Sequence, residues 1–320
     1  MRLTRRHVLA LGAAALGAPA LRAAPAPLDV VTTTGMIADT ARVIAGDHAA
    51  VRALMGPGID PHSFRQTRSD IAALTRADLV LWHGLYLEAQ MEEFLHRLAA
   101  RRTVVAVGEG VPEALRIAHP DHEGRFDPHV WMVPELWQHV AGRITEALGA
   151  ARPGAVPDFT RNADALRMAL DRLGRYARET LATVPPAARV LVTAHDAFGY
   201  FGRAYGFEVA GIQGISTESE AGLARIRDLV DLIVARGIRA VFVESTVADR
   251  NIRALIEGAA ARGHAVRIGG ELFSDAMGPS GSYEGSYEGM IDHNVTTIAR
   301  ALGGQAPERG LNGRLAAAER

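Results

Sequence analysis

Cysteine is absent from the 320 residues. That gap excludes disulfides, thiolate metal ligands, a cysteine nucleophile and a lipid anchor carried on cysteine. Lysine is absent too, since all 35 basic residues are arginine, and this removes lysine-based catalysis and P-loop chemistry. Long apolar runs are missing beyond the N-terminus, so no later segment offers the ~20 residues that a membrane-spanning helix needs. The chain also has no H-E-x-x-H, no G-x-S-x-G, no G-x-x-x-x-G-K-[ST] and no G-x-G-x-x-G following a strand, which leaves the common metalloprotease, hydrolase and nucleotide-binding signatures unrepresented. Any bound metal must therefore be held by histidines and carboxylates.

What is present begins with "MRLTRRHVLALGAAALGAPALRAAPAP", in which Arg2, Arg5 and Arg6 precede an apolar run from Val8 to about Leu21. This is the layout of an export signal over residues 1–23, cleaved near Ala23 or Ala24, and the Arg5-Arg6 pair looks like a twin-arginine signal, with an ordinary basic n-region as the alternative. Losing the arginines at 2, 5, 6 and 22 takes the formal charge from −1 to −5, which argues against a nucleic-acid partner. A soluble, monomeric, periplasmic chain without a lipid anchor is expected.

With 48% hydrophobic residues, the chain can bury one large core or two ordinary ones. β-rich runs at 28–34, 51–55, 77–82 and 103–107 alternate with helical stretches at 67–76 and 87–100, and a helix from Pro134 to Leu148 closes this half. Apolar residues then recur every three or four positions through Leu166, Leu170, Leu173, Ala177 and Leu181, predicting one long helix over about 157–183. The alternation restarts with strands at 188–194, 208–212, 239–245 and 264–270. The pattern predicts an α/β protein of two lobes with mainly parallel sheets flanked by helices, joined by one long backbone helix. The expected divisions are an N-terminal lobe at 24–153, a linking helix at 154–186, a C-terminal lobe at 187–304 and a loosely held polar tail at 305–320.

Ligands of open α/β sheets gather beyond the carboxyl ends of the strands. His62, His195, Glu244 and Asp275 fall at or just after such ends, and His129 sits just before the helix that closes the first half. Two of these histidines share one setting, Asp60-Pro61-His62 and Asp127-Pro128-His129. Each tripeptide equally suits an ordinary capped helix start, His195-Asp196 a polar strand end, and Asp275 a turn. Glu244 either neutralises a nearby arginine or supports a ligand from behind. His119 and His122, in "AHPDHEGRFDPH", offer an auxiliary metal contact on a mobile loop, with a solvated loop as the alternative. His48, His83, His96, His139, His264 and His293 are scattered without pairing logic and read as structural or surface residues.

"GPGIDPHSFRQTRSDIAALTRADLVLWHGLYLE", "FDPHVWM", "VTAHDAFGYFGRAYGFEVAGIQGISTESEAG", "VFVES" and "GGELFSDAMG" followed by "YEGMIDHNV" together resemble the TroA-like group, the zinc- and manganese-binding solute receptors of ABC importers (cluster A-I). The resemblance covers nearly the whole mature chain. It implies a high-affinity receptor with one divalent ion held between the lobes as transported ligand, delivered to the membrane permease of an ABC importer. The family's ligands fall on His62, His129, His195 and Asp275, with Asp60 and Asp127 aiming the imidazoles. Some manganese receptors of the group have a carboxylate where this chain has His195, and the family's "DPHVWLDP" stands here as "DPHVWMVP", with Val133 in place of an acid.

Three imidazoles and one carboxylate form a borderline-soft set that favours Zn²⁺ over Mn²⁺, whereas the short His119/His122 loop points the other way, because zinc receptors of the group often carry a longer His-rich loop. Ligands from both lobes would saturate the ion, so closure is binding rather than catalysis, and ligand protonation should weaken capture below about pH 6. The alternative function is an exported metal-dependent hydrolase on the same site, with Glu244 as general base.

Overall fold

The computed structural model describes residues 26–316 except residue 121; the export signal expected at 1–23 lies outside them. In the first lobe, strands β1 (Leu28–Thr32), β2 (Ala49–Ala53), β3 (Leu79–Trp82) and β4 (Val104–Ala106) form one parallel sheet in the order β2-β1-β3-β4. Val30 pairs with Val51 on one side and Leu79 on the other. β3 is buried along its whole length, as expected of a parallel strand covered on both faces. The crossovers run through helices α1 (Gly35–Ala45), α2 (Arg68–Arg76) and α3 (Glu92–Ala99). At the start of α2, Thr67 and Asp70 form a capping box, which fixes the end of the segment that follows His62.

Helix α4 (Pro134–Ala151) leads into α5 (Val156–Ala182), close to the 157–183 expected from periodicity. Pro157 in the first turn suits the α5 start. Its buried stripe, with Phe159, Leu170, Leu173, Tyr176, Ala177 and Leu181, packs on helices of both halves. One contiguous core consequently runs from Leu28 in the first lobe through α5 to Leu302 in the second. The two lobes thus share this helix as a common packing element.

The second lobe contains β5 (Val190–Thr193) paired in parallel with β6 (Glu208–Gly211), and β7 (Ala240–Glu244) paired in parallel with β8 (Arg267–Leu272). β5 lies beside β7. Helices α6 (Gly199–Tyr205), α7 (Leu223–Arg236), α8 (Arg250–Ala261) and α9 (Tyr287–Ala301) complete it. Among the described residues no helix is long and apolar enough to cross a membrane.

Two sequence expectations change. The helix predicted over 87–100 begins only at Glu92, because the chain first turns sharply through Leu85 and Tyr86, both at positive φ (54° and 71°). The buried Glu88 carboxylate pins that turn by accepting from the backbone N–H of His83 (2.7 Å) and Gly84 (3.1 Å), which offsets the left-handed backbone. The tail was expected to be loosely held, but its described residues, 305–316, are bonded to the body: the Leu311 N–H donates to Asp292 at 2.9 Å, Leu315 is buried, and the Ala316 N–H donates to Glu284 at 2.8 Å. Ending the chain at residue 304 should lower unfolding free energy by at most about 4–9 kcal/mol, the sum of two bonds to charged groups and one buried leucine before the ordering entropy of the segment is set against it. Chemical denaturation of the two forms measures it.

Candidate metal centre

The strand ends of both lobes converge on one buried cluster. His62 follows β2, His195 follows β5 and Asp275 follows β8, while His129 precedes α4. His62, His129, His195 and Asp275 are all buried, and one ligand atom from each lies within 4.8 Å of the others. The His129 Nε2 is 3.4 Å from Asp275 Oδ1, and Asp275 Oδ2 is 3.2 Å from His195 Nε2 and 3.9 Å from His62 Nε2. His62 Nε2 and His129 Nε2 stand 3.3 Å apart. Four atoms bound tetrahedrally at the usual zinc distances are separated by roughly 3.3–3.4 Å, so the spacing suits one ion at the centre. Among the described residues the Asp275 oxygens have no hydrogen-bond donor other than the three imidazoles that face them, and those can donate from Nε2 only when protonated. A buried carboxylate left that way is strongly unfavourable unless a cation faces it.

Behind the cluster, two imidazoles are aimed by carboxylates. The His129 Nδ1–H donates to Asp127 Oδ1 at 2.7 Å, and the His195 Nδ1–H donates to Glu244 Oε2 at 2.5 Å, with the His195 backbone N–H on Glu244 Oε1 at 2.9 Å. Both bonds leave Nε2 as the nitrogen turned to the centre, able to take an ion once it has given up its proton. Asp127 can approach because position 199 is glycine: a Cβ there would lie 2.9 Å from its Oδ2. Asp60 differs from its counterpart. It accepts the His62 backbone N–H at 2.9 Å but makes no bond to the ring, so it positions His62 through the main chain.

Charge in the metal-free centre follows from this layout. Burial alone would push His129 down, but the charge and hydrogen bond of Asp127, helped by Asp275, raise it to about 9. Burial also opposes a proton on His195, and Asp275 and Glu244 overcome it, holding that imidazole well above its ordinary value. Burial dominates at His62, lowering it to about 3 despite Asp275. For Asp275 burial works upward, yet His195, His129 and His62 hold the carboxyl well below its usual range.

His119 and His122 do not join the four. They pack on each other, ring centroids 4.7 Å apart, and on Tyr86, in a short hairpin closed by the Ala118–Phe126 bridge and the His119 N–H bond to Arg125 O at 2.9 Å. Glu244 has both oxygens engaged by His195, which leaves no free carboxylate to serve the hydrolase alternative as general base.

Several supporting residues escaped the sequence reading. His83, read there as merely structural, is fully buried and donates from Nε2 to the Pro128 carbonyl at 2.8 Å, bracing the backbone beside His129. Burial lowers its pKa to about 3 and raises that of Glu88 to about 7. The Trp131 Nε1–H donates to the Ser274 carbonyl at 2.7 Å, and Tyr200 Oη bonds to the Asp127 carbonyl at 2.9 Å. These bonds tie the loop of His129 to the loops of Asp275 and His195 in the other lobe. Glu88 lies within "HGLYLE", where a lone acid behind an apolar run was the available signal.

Glu244→Gln should reduce metal affinity about 10–100-fold. The amide oxygen can accept from only one of the two His195 N–H groups, and its NH₂ turned to Nδ1 favours the tautomer with a proton on Nε2. Competitive chelator titration of the variant measures the loss.

Two α/β lobes sharing one long helix, with a buried three-histidine, one-aspartate cluster at their junction, are the architecture of a two-lobed metal-binding protein. The chain belongs to the family described as "ZnuA: Zinc-uptake complex component A periplasmic", whose model matches residues 30–301. It is 45% identical over 282 residues to the "Manganese-binding lipoprotein MntA" of Bacillus subtilis, covering 88% of this chain and 92% of that one. Identity to the "Zinc-binding protein TroA" of Treponema pallidum is 47% over 273 residues, 85% and 88% of the two chains. The solved structure of that periplasmic zinc-binding protein superposes with a TM-score of 0.84, covering 86% of this chain and 99% of the other. The "Iron-binding protein YfeA" of Yersinia pestis is 31% identical over 274 residues, 86% of each chain.

Proposed function

We propose that this chain is a periplasmic receptor that captures one divalent transition-metal ion per chain between its lobes and delivers it to the permease of an ABC importer. The ion is held by His62, His129, His195 and Asp275, with Asp127 and Glu244 fixing two of the imidazoles and Asp60 fixing the third through its backbone. The observation that carries this reading is the fully buried Asp275 carboxylate, faced among the described residues by three imidazole nitrogens at 3.2–3.9 Å and by no other hydrogen-bond donor. Four protein ligands from two lobes leave no open coordination position, so the chain binds and releases without a catalytic step. Residues 24–153 and 187–304 act as the two metal-binding lobes, 154–186 as the link between them and 305–320 as the tail; the chain works as an exported monomer without a lipid anchor, carried by a twin-arginine signal.

Zinc is the favoured ion and manganese the second. Three neutral nitrogens suit the borderline-soft ion, whereas manganese prefers an oxygen-rich shell. The named relatives are manganese-, zinc- and iron-binding proteins, so the choice rests on the donor set. Chelator-stripped protein titrated with zinc and manganese in competition should take up one tight ion per chain, zinc displacing manganese. Two tight ions, no tight ion, or manganese displacing zinc at equal concentration would overturn the assignment in those respects.

A further inference from the structure

Of the three imidazoles at the centre, His62 is held least directly. Among the described residues, carboxylates back the rings of His129 and His195, but His62 has only the backbone bond to Asp60. It also stands furthest from Asp275, at 3.9 Å. Asp60 in turn does more than hold its own loop. Its Oδ2 accepts Ser63 Oγ at 2.8 Å and, from the other lobe, Thr217 Oγ1 at 2.6 Å. The same segment of the second lobe makes another contact beside it, Gln90 Nε2 to Glu218 Oε1.

We infer that Thr217 is a positioning residue that latches the lobes at the metal site and sets the rate at which the ion leaves. The inference rests on the proposed function. The path is short and physical: the Thr217 hydroxyl restrains the Asp60 carboxylate, Asp60 restrains the His62 main chain, and His62 is the ligand with no other carboxylate to hold it. A neutral hydroxyl bonded to a carboxylate in a half-buried setting is among the stronger hydrogen bonds available. Opening the site on the His62 side requires breaking it. Capture is governed mainly by encounter, whereas release requires the bond between Thr217 and Asp60 to break, so losing the hydroxyl acts mostly on release.

The test uses the full exported chain loaded with zinc, mixed rapidly with excess chelator to read release, and the metal-free chain mixed with zinc to read capture. Thr217→Val, which keeps the shape and removes the hydroxyl, should release zinc roughly tenfold faster with capture unchanged. Thr217→Ser should restore the wild-type release rate, and the absorption spectrum of the cobalt-loaded Val variant should match wild type, because the four ligands are intact. Release within twofold of wild type, an equal change in capture, or a serine variant that behaves like valine overturns the latch. Thr217→Ala decides in the same way if the valine variant does not fold. If wild-type protein captures no zinc, it is the proposed function that fails, and not the latch alone.

Discussion

Replacing His129 with alanine should weaken zinc binding by about two to three and a half orders of magnitude while leaving the chain folded. His129 is buried between Asp127 and Asp275, and its Nε2 is the nitrogen turned to the centre. Removing one partner from a buried charged cluster costs about 3–5 kcal/mol, and each 1.4 kcal/mol is a factor of ten in affinity. The alanine variant loses a ligand and also leaves Asp127 without the ring it was aiming. Circular dichroism should show the helices retained, since α4 and α5 pack on the core independently of this ring. Competitive titration reads the affinity, and unchanged binding would remove His129 from the site.

Affinity should also climb steeply with pH, and over a higher range than the sequence suggested. An imidazole must give up its proton from Nε2 before it can bind an ion. In the metal-free centre Asp127 and Asp275 hold His129 at about 9 against the opposing effect of burial, and Asp275 and Glu244 hold His195 well above its ordinary value. Binding at neutral pH therefore displaces protons. Each proton displaced makes the apparent affinity fall tenfold per pH unit below the raised pKa, so moving from pH 8 to pH 6 should weaken capture at least about 100-fold through His129 alone. The sign for the metal-free fold is opposite. His129, raised from 6.5 to about 9, contributes stability that is complete below about 6.5 and is lost as pH rises through 9. Titration calorimetry in buffers of different ionisation enthalpy counts the protons: one or two are expected, and none, with affinity flat between pH 6 and 8, would contradict the charge assignment.

The sequence carried the centre further than it carried the scaffolding around it. The repeated Asp-Pro-His marked His62 and His129, and strand ends marked His195, Glu244 and Asp275, because a parallel sheet delivers its loops to one edge. The two tripeptides nevertheless do different work. In both, the aspartate accepts the N–H of the histidine two residues on, at 2.9 Å. Only Asp127 also reaches its own ring; Asp60 turns to Ser63 and Thr217. That difference depends on a partner 157 residues away in sequence, which no local pattern encodes. The same holds for Trp131 on Ser274 and Tyr200 on Asp127. The helix expected from Leu87 starts later for a related reason: burial and two backbone donors make Glu88, which falls inside the expected span, the pin of a tight turn.

The central claim is that one ion sits among His62, His129, His195 and Asp275. Crystals of the zinc-loaded chain, measured on either side of the zinc absorption edge, test it most directly. The account predicts a single anomalous peak bonded to the Nε2 of the three histidines and to Asp275, at about 2.0–2.2 Å. A peak at His119 and His122 instead, or an ion among the four that keeps a water in place of one of them, would contradict it.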